Sequence, residues 1–241
     1  MTIRAKDWAE YIRKLSGLHE QAAKEMREYV LKNGFGDMSA LTDYAYALAT
    51  KYGEGAGALA AAMYDATAEM EGKLFDPAEI AETADYQEVA KTVQGVAKQS
   101  QNANLMGNAV GRLVKRTGAD TMLKNAARDG AEFAWVPSGD SCAFCITLAS
   151  RGWQNQSQKA MKNGHAEHIH ANCDCTYAIR FDGKSGVAGY DPDKYLRMYE
   201  GAEGDTWQEK VNSMRREQYA ENRERINEQK RAAYAERNGK R

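Results

Sequence analysis

Glu132-Phe133-Ala134-Trp135-Val136-Pro137-Ser138-Gly139 is where the chain changes character. The first five residues are aromatic or apolar at close spacing, and Pro137-Ser138-Gly139 follows as a turn, so the stretch predicts a short strand and its stop. A second run of this kind, Cys175-Thr176-Tyr177-Ala178-Ile179-Arg180-Phe181, ends at Asp182-Gly183. Between the two strands, Asp140 is placed to cap a short helix reaching about Ser150, and Arg151-Gly152 ends it.

Everything upstream has a different grammar. Trp8, Ile12, Leu15, His19, Ala22, Met26 and Tyr29 recur at steps of three or four, which puts them on one face of a helix over 5–32, stopped at Asn33-Gly34. This periodicity reads His19 as a packed or rim histidine. A second helix is predicted from a Ser39 cap to Gly53 and a third over 57–72. Asp76-Pro77 opens a fourth, running to about Ser100, with the cap just before a proline at the first helical position. The fifth covers 103–129, with Gly118 as a potential break. Downstream, a glycine-rich linker over 183–189 leads to Asp191-Pro192-Asp193, which starts a last helical region. Gly201 and Gly204 interrupt it before a final run from Trp207 to Asn238. Three prolines in 241 residues fit a chain dominated by long helices. The expected class is therefore α+β, mostly helical, in three parts: a helical region 1–130, a Cys/His-bearing α+β module 131–200, and a charged C-terminal helix 201–241.

Composition sets outer bounds. Hydrophobic residues make up 43 % and charged residues 28 %, enough to build a core. The mean hydropathy of −0.71 indicates that part of the helix is solvated rather than packed. No apolar run reaches the length of a membrane span, and residues 1–7 lack the apolar stretch of a secretory signal, so a cytoplasmically made chain is expected. The net charge of −1 gives no overall pull toward nucleic acid. Residues 207–241 nonetheless carry ten basic against six acidic side chains. Glutamates interleave with the arginines there, and pairs such as Glu221–Arg225 are expected to neutralise much of that charge within the helix, which reads as solvated.

The unusual chemistry is confined to the module. All four cysteines, Cys142, Cys145, Cys173 and Cys175, fall within 34 residues, and His165, His168 and His170 lie in the same window. A C-x2-C pair at a turn or helix start aims two thiolates at one point, and a second close pair beside it completes a tetrahedral set for Zn²⁺. Cys142, Cys145 and Cys173 serve in either solution, with Cys175 or His170 as the fourth ligand. Such an ion supplies on the order of 10 kcal/mol of folding free energy to a module with too little core of its own. Disulfides across the window and buried reduced thiols are the alternatives. His165 and His168 read as exposed loop residues beside Lys162-Asn163-Gly164. His165-Ala166-Glu167 and Cys142-Ala143-Phe144-Cys145 are pieces of a zinc deaminase site, but in the reverse order and without the strands of its sheet. No P-loop, dinucleotide fingerprint or nucleophile elbow is present.

The window Val136-Pro137-Ser138-Gly139-Asp140-Ser141-Cys142-Ala143-Phe144-Cys145, with His170-Ala171-Asn172-Cys173-Asp174-Cys175-Thr176 after it, resembles the Mu F-like minor head proteins of tailed phages. In that family an Asp-x-Cys-x-x-Cys turn follows a strand, and His-x-x-Cys-x-Cys-Thr enters the next. Tyr190-Asp191-Pro192 with Tyr195 and Tyr199 also resembles what trails the family motif. The likeness covers roughly 132–200. The loop over 154–164, rich in Gln, Asn and Lys, departs from it, and the last 35 residues have no counterpart. The resemblance implies a non-enzymatic virion protein, associated with the portal or major capsid protein, entering the head during assembly and linked in some members to DNA delivery. The Cys/His set is then a fold staple, and packaged DNA is a further candidate partner for the basic helix. The alternative class is a zinc-dependent enzyme acting on nucleic acid, or a zinc-stapled nucleic-acid-binding module.

Overall fold

The computed structural model describes residues 2–139, 141–155 and 174–239, by backbone alone at 229 and 232–239. The chain runs β1 (Thr2–Ile3), α1 (Ala5–Asn33), α2 (Met38–Met70), α3 (Tyr86–Gln99), α4 (Ala103–Asp129), β2 (Glu132–Val136), α5 (Ala143–Ala149), β3 (Gln154–Asn155), β4 (Thr176–Arg180), β5 (Gly186–Val187), α6 (Pro192–Gly201) and α7 (Trp207–Gly239). The class is the expected one, α+β and mostly helical. None of the described helices is long and apolar enough to cross a membrane.

Two compact units are present: residues 1–139 with 153–190, and 140–152 with 191–241. These boundaries differ from the sequence divisions at 130/131 and 200/201, for a packing reason. Val136 of β2, Ala178 of β4 and Val187 of β5 share one hydrophobic core with α1, α2 and α4. In the other unit, Ala143 and Ile146 of α5 pack with Ala202 and with Val211 and Met214 of α7.

In the first unit α1 buries the predicted face, including Trp8, Ile12, Leu15, His19, Ala22 and Met26. Tyr29 is half-buried and stacks on Tyr44 of α2, with ring centroids 4.2 Å apart. Gly34, at φ 72°, ends the helix where a side chain would be strained. The predicted second and third helices are one 33-residue helix, capped by Asp37, whose carboxylate accepts the Ala40 N–H at 2.9 Å, and not by Ser39. It continues through Gly53-Glu54-Gly55-Ala56-Gly57 because glycine here provides close approach rather than a stop. A Cβ at Gly57 would lie 2.4 Å from Ile80 Cγ2. α4 likewise passes Gly118 unbroken, and it meets α1 at Gly107, where a Cβ would lie 2.4 Å from the Ala23 carbonyl oxygen.

The predicted fourth helix begins nine residues late. Residues 73–85 have no regular structure, and α3 starts only at Tyr86, capped by Asp85, whose carboxylate accepts the Glu88 N–H at 2.8 Å. The segment lies as a strap on side chains of α2 and α4. Asp65 accepts the Ala78 N–H (2.8 Å) and Thr121 Oγ1 that of Ala81 (3.0 Å). Asn125 both accepts from Glu79 N–H (3.0 Å) and donates to Glu79 O (2.8 Å). Arg128 donates to the carbonyls of Asp76 and Pro77. With its backbone groups satisfied sideways in this way, the segment stays extended despite its helix-favouring residues.

The three-stranded sheet has the order β3-β2-β4, with both pairings antiparallel. Glu132 stands opposite Arg180, which donates to its carboxylate at 2.6 Å, and Val136 stands opposite Thr176. β1 and β5, two-residue strands with no signature in the sequence, pair in parallel. Glu71, at the end of α2, accepts the Phe181 N–H (2.8 Å), and burial pushes its pKa up. Beyond β4 the Asp182 carboxylate takes the N–H groups of Lys184 and Ser185 and the Ser185 hydroxyl, which hold its pKa far below the usual range.

In the second unit α6 opens as predicted, with Asp191 accepting the Asp193 N–H (3.0 Å) and Pro192 in the first turn. Lys210 of α7 donates to the Ala202 carbonyl (2.8 Å) and closes the turn between the helices. In α7, Arg225 reaches Asn222 (2.7 Å) rather than the expected Glu221.

Candidate functional site

The cysteine cluster is described from its two ends. In the second unit Cys142 is the residue before α5, in extended conformation (φ −67°, ψ 158°), and its carbonyl accepts the Ile146 N–H at 3.0 Å. Cys145 lies one turn further on, fully buried. A spacing of three at a helix start puts both residues on the same side of the first turn, the arrangement the C-x2-C pattern predicts. That turn is held by a residue the sequence did not single out. Gln218 of α7 accepts the Ala143 N–H (3.0 Å) and donates to the Ser141 carbonyl (2.9 Å), taking up one of the open donors of α5. No spacing rule links positions 75 residues apart.

In the first unit Cys175 directly precedes β4 and is likewise fully buried. Its neighbour Asp174 is anchored from α1: Ser16 donates to its carboxylate at 2.6 Å, and His19 Nε2 lies 3.5 Å from the same oxygen. His19 is thus the packed histidine expected from its face, with an acidic neighbour as well. Ser16 is 158 residues from Asp174, so no spacing in the sequence joins them. Beyond Asp174, Tyr177 packs edge-on against Trp135 across the strands, with centroids 4.8 Å apart. The buried Lys115 of α4 has its ammonium 6.0 Å from the Trp135 ring centroid. Burial raises the pKa of the Tyr11 hydroxyl well above the ordinary tyrosine value. A cleft of ≈ 720 Å³ opens beside Asp174, walled by Trp8, Ile12 and Ser16 of α1 and by Pro137–Gly139.

Of the five expected ligands, Cys142, Cys145 and Cys175 are described, while Cys173 and His170 lie outside the described residues, as do His165 and His168. Among the described residues no group of three or more His, Cys, Asp or Glu side chains gathers as a metal site. The thiols that are described sit at the start of a helix and at the start of a strand. Buried or half-buried sulfurs at rigid ends suit a soft metal ion chemically.

Comparison with known proteins places the chain. A family model described as VG15 protein matches residues 2–202. The chain belongs to the VG15 family. VG15 is a viral, phage protein family, so this VG15 protein stands among phage proteins, as the resemblance of its cysteine window implied at that level. The matched residues run from β1 to just past α6, leaving α7 of the VG15 chain beyond them. No curated protein and no solved structure matches the chain.

Proposed function

We propose that this VG15 chain is a structural component of a tailed-phage head: a minor head protein of the Mu F-like kind, located in the virion and associated with the portal or major capsid protein. Membership of a phage protein family over residues 2–202 carries this reading. The resemblance of residues 136–176 to the Mu F-like window adds the finer assignment. In this role the protein acts by docking during assembly or DNA delivery, and it turns over no substrate. The buried positions of Cys145 and Cys175 suit a staple better than a nucleophile, which has to meet its substrate.

The same reading makes zinc a structural ion, held by Cys142, Cys145 and Cys173 with Cys175 or His170 as the fourth ligand. When bound, it supplies folding free energy and no chemical step. Mass spectrometry of purified, DNA-filled particles tests the location: the chain is expected in them at a low and fixed ratio to the major capsid protein. Absence from particles, with the chain abundant in the host lysate, overturns it. Elemental analysis together with Cys142→Ser tests the role of the cluster. About one equivalent of zinc, and local unfolding on substitution, is expected. A variant that stays folded but loses an activity on nucleic acid would establish the alternative class instead.

A further inference from the structure

Residues 76–84 occupy one conformation while spelling another. Asp76-Pro77-Ala78-Glu79 is a complete helix start, with a capping residue, proline at the first helical position and an acidic residue three after the cap. Asp85-Tyr86-Gln87-Glu88 is a second start nine residues on, with the same cap and acidic residue but no proline, and this is the one in use. The residues between, Ile80-Ala81-Glu82-Thr83-Ala84, contain two alanines and a glutamate and neither glycine nor proline, so nothing in them stops a helix. What holds the segment extended is external. Asp65, Thr121, Asn125 and Arg128 take up its backbone groups, and none of these bonds reads a side chain of the strap. The strap's own side chains add modest anchorage. Ala81 and Ala84 are buried, whereas Ile80 is 46 % and Leu74 99 % exposed.

We infer that residues 76–84 are a two-state element: an extended strap on α2 and α4 in the structure described, and an N-terminal extension of α3 capped by Asp76 when released. The segment's backbone groups are taken up by α2 and α4 side chains in one arrangement and within the helix in the other, and two such alternatives are the condition for a switch. Release uncovers Gly53, Gly57, Thr121 and Asn125. Gly53 and Gly57 face the Thr83 and Ile80 side chains of the strap, and Thr121 and Asn125 bind its backbone, so the switch converts a self-covered face into an accessible one.

The test uses the full chain and the latent cap. The Asp76 side chain is exposed, and only its carbonyl holds the strap, so Asp76→Ala leaves the strap in place and weakens the released helix alone. Native-state hydrogen exchange at the amides of 78 and 79, which have no backbone acceptor within the released helix, then slows about fivefold relative to the wild-type chain, the effect of losing one cap in the open state. Unchanged exchange means that the segment opens to coil, and overturns the inference. In a second arm, Asn125→Ala with Arg128→Ala loosens the strap, and the ¹³Cα shifts of Ala78, Ala81 and Ala84 are followed. Movement to helical values is expected, and adding Glu82→Pro cancels it. Shifts that stay extended or move to coil values contradict the two-state element even if the Asp76 variant behaves as expected.

Discussion

α4 and α7 are long helices that both carry many polar residues, and their surroundings differ sharply. α4 has sixteen buried residues spread all round its circumference, among them Lys115, Thr117, Asp120, Thr121 and Asn125. α7 is longer, yet among its described side chains only Val211, Ser213 and Met214, near its start, are buried. Neither helix carries a strong apolar stripe. What separates them is what the polar residues do. In α4 they bind backbone groups and charges of neighbouring elements, and its glycines let α1 approach. In α7 the described Arg and Glu side chains are exposed. Polar side chains therefore belong to a packed helix when they are paired with neighbouring elements, and to a solvated one when they are not.

The contrast breaks most severely at the α1–α4 contact. Gly107→Val puts a branched side chain against the Ala23 carbonyl, where even a Cβ would lie at 2.4 Å, and is expected to cost about 3 kcal/mol in urea unfolding. Ala220→Val, on the exposed middle of α7, costs about 0.5 kcal/mol, its propensity difference alone. Next in size is Arg116→Ala. The guanidinium is nearly buried and pairs bidentately with Glu88 at the start of α3, so its loss leaves a half-buried carboxylate and costs about 2 kcal/mol. The same measurement on Arg223→Ala in α7 gives a change within about 0.5 kcal/mol.

A smaller effect appears with pH. Glu71 has its pKa raised by burial, so the folded chain keeps this proton where the unfolded chain has lost it. Its contribution to stability is present below the ordinary glutamate range and is lost as pH rises through the raised folded value. Glu71→Gln is expected to flatten that part of the stability-against-pH curve, and an unchanged slope contradicts the assignment. The smallest effect expected is none at all: deleting residues 223–241 moves the thermal midpoint by no more than about 1 °C.

Much of this was legible beforehand. The face of α1, the extent of α4, both longer strands and the Asp191-Pro192 start follow from periodicity and capping, which act locally. Two of the failures share a cause. Gly53 to Gly57 was read as a helix boundary and Asp76-Pro77 as a helix start because local rules assign them so, while the structure uses the glycines for close packing and holds the strap by side chains 13 to 52 residues away. The two-residue strands β1 and β5 are too short to carry a pattern. At the candidate site, the C-x2-C position at a helix start was legible from spacing. The support of Asp174 by Ser16 and of the α5 turn by Gln218 was not, because each partner is remote in sequence and ordinary in type.

Limited trypsin digestion of the intact chain, with the cut sites read by mass spectrometry, compares the two helices most directly. Arg223, Arg225, Lys230 and Arg231 of α7 are expected to be cut first, while Arg112, Lys115, Arg116 and Lys124 of α4 stay intact until the first unit unfolds as a whole. Early cleavage within α4, or an α7 that resists as long as α4 does, would contradict the account of a polar helix at the centre and a solvated one at the end.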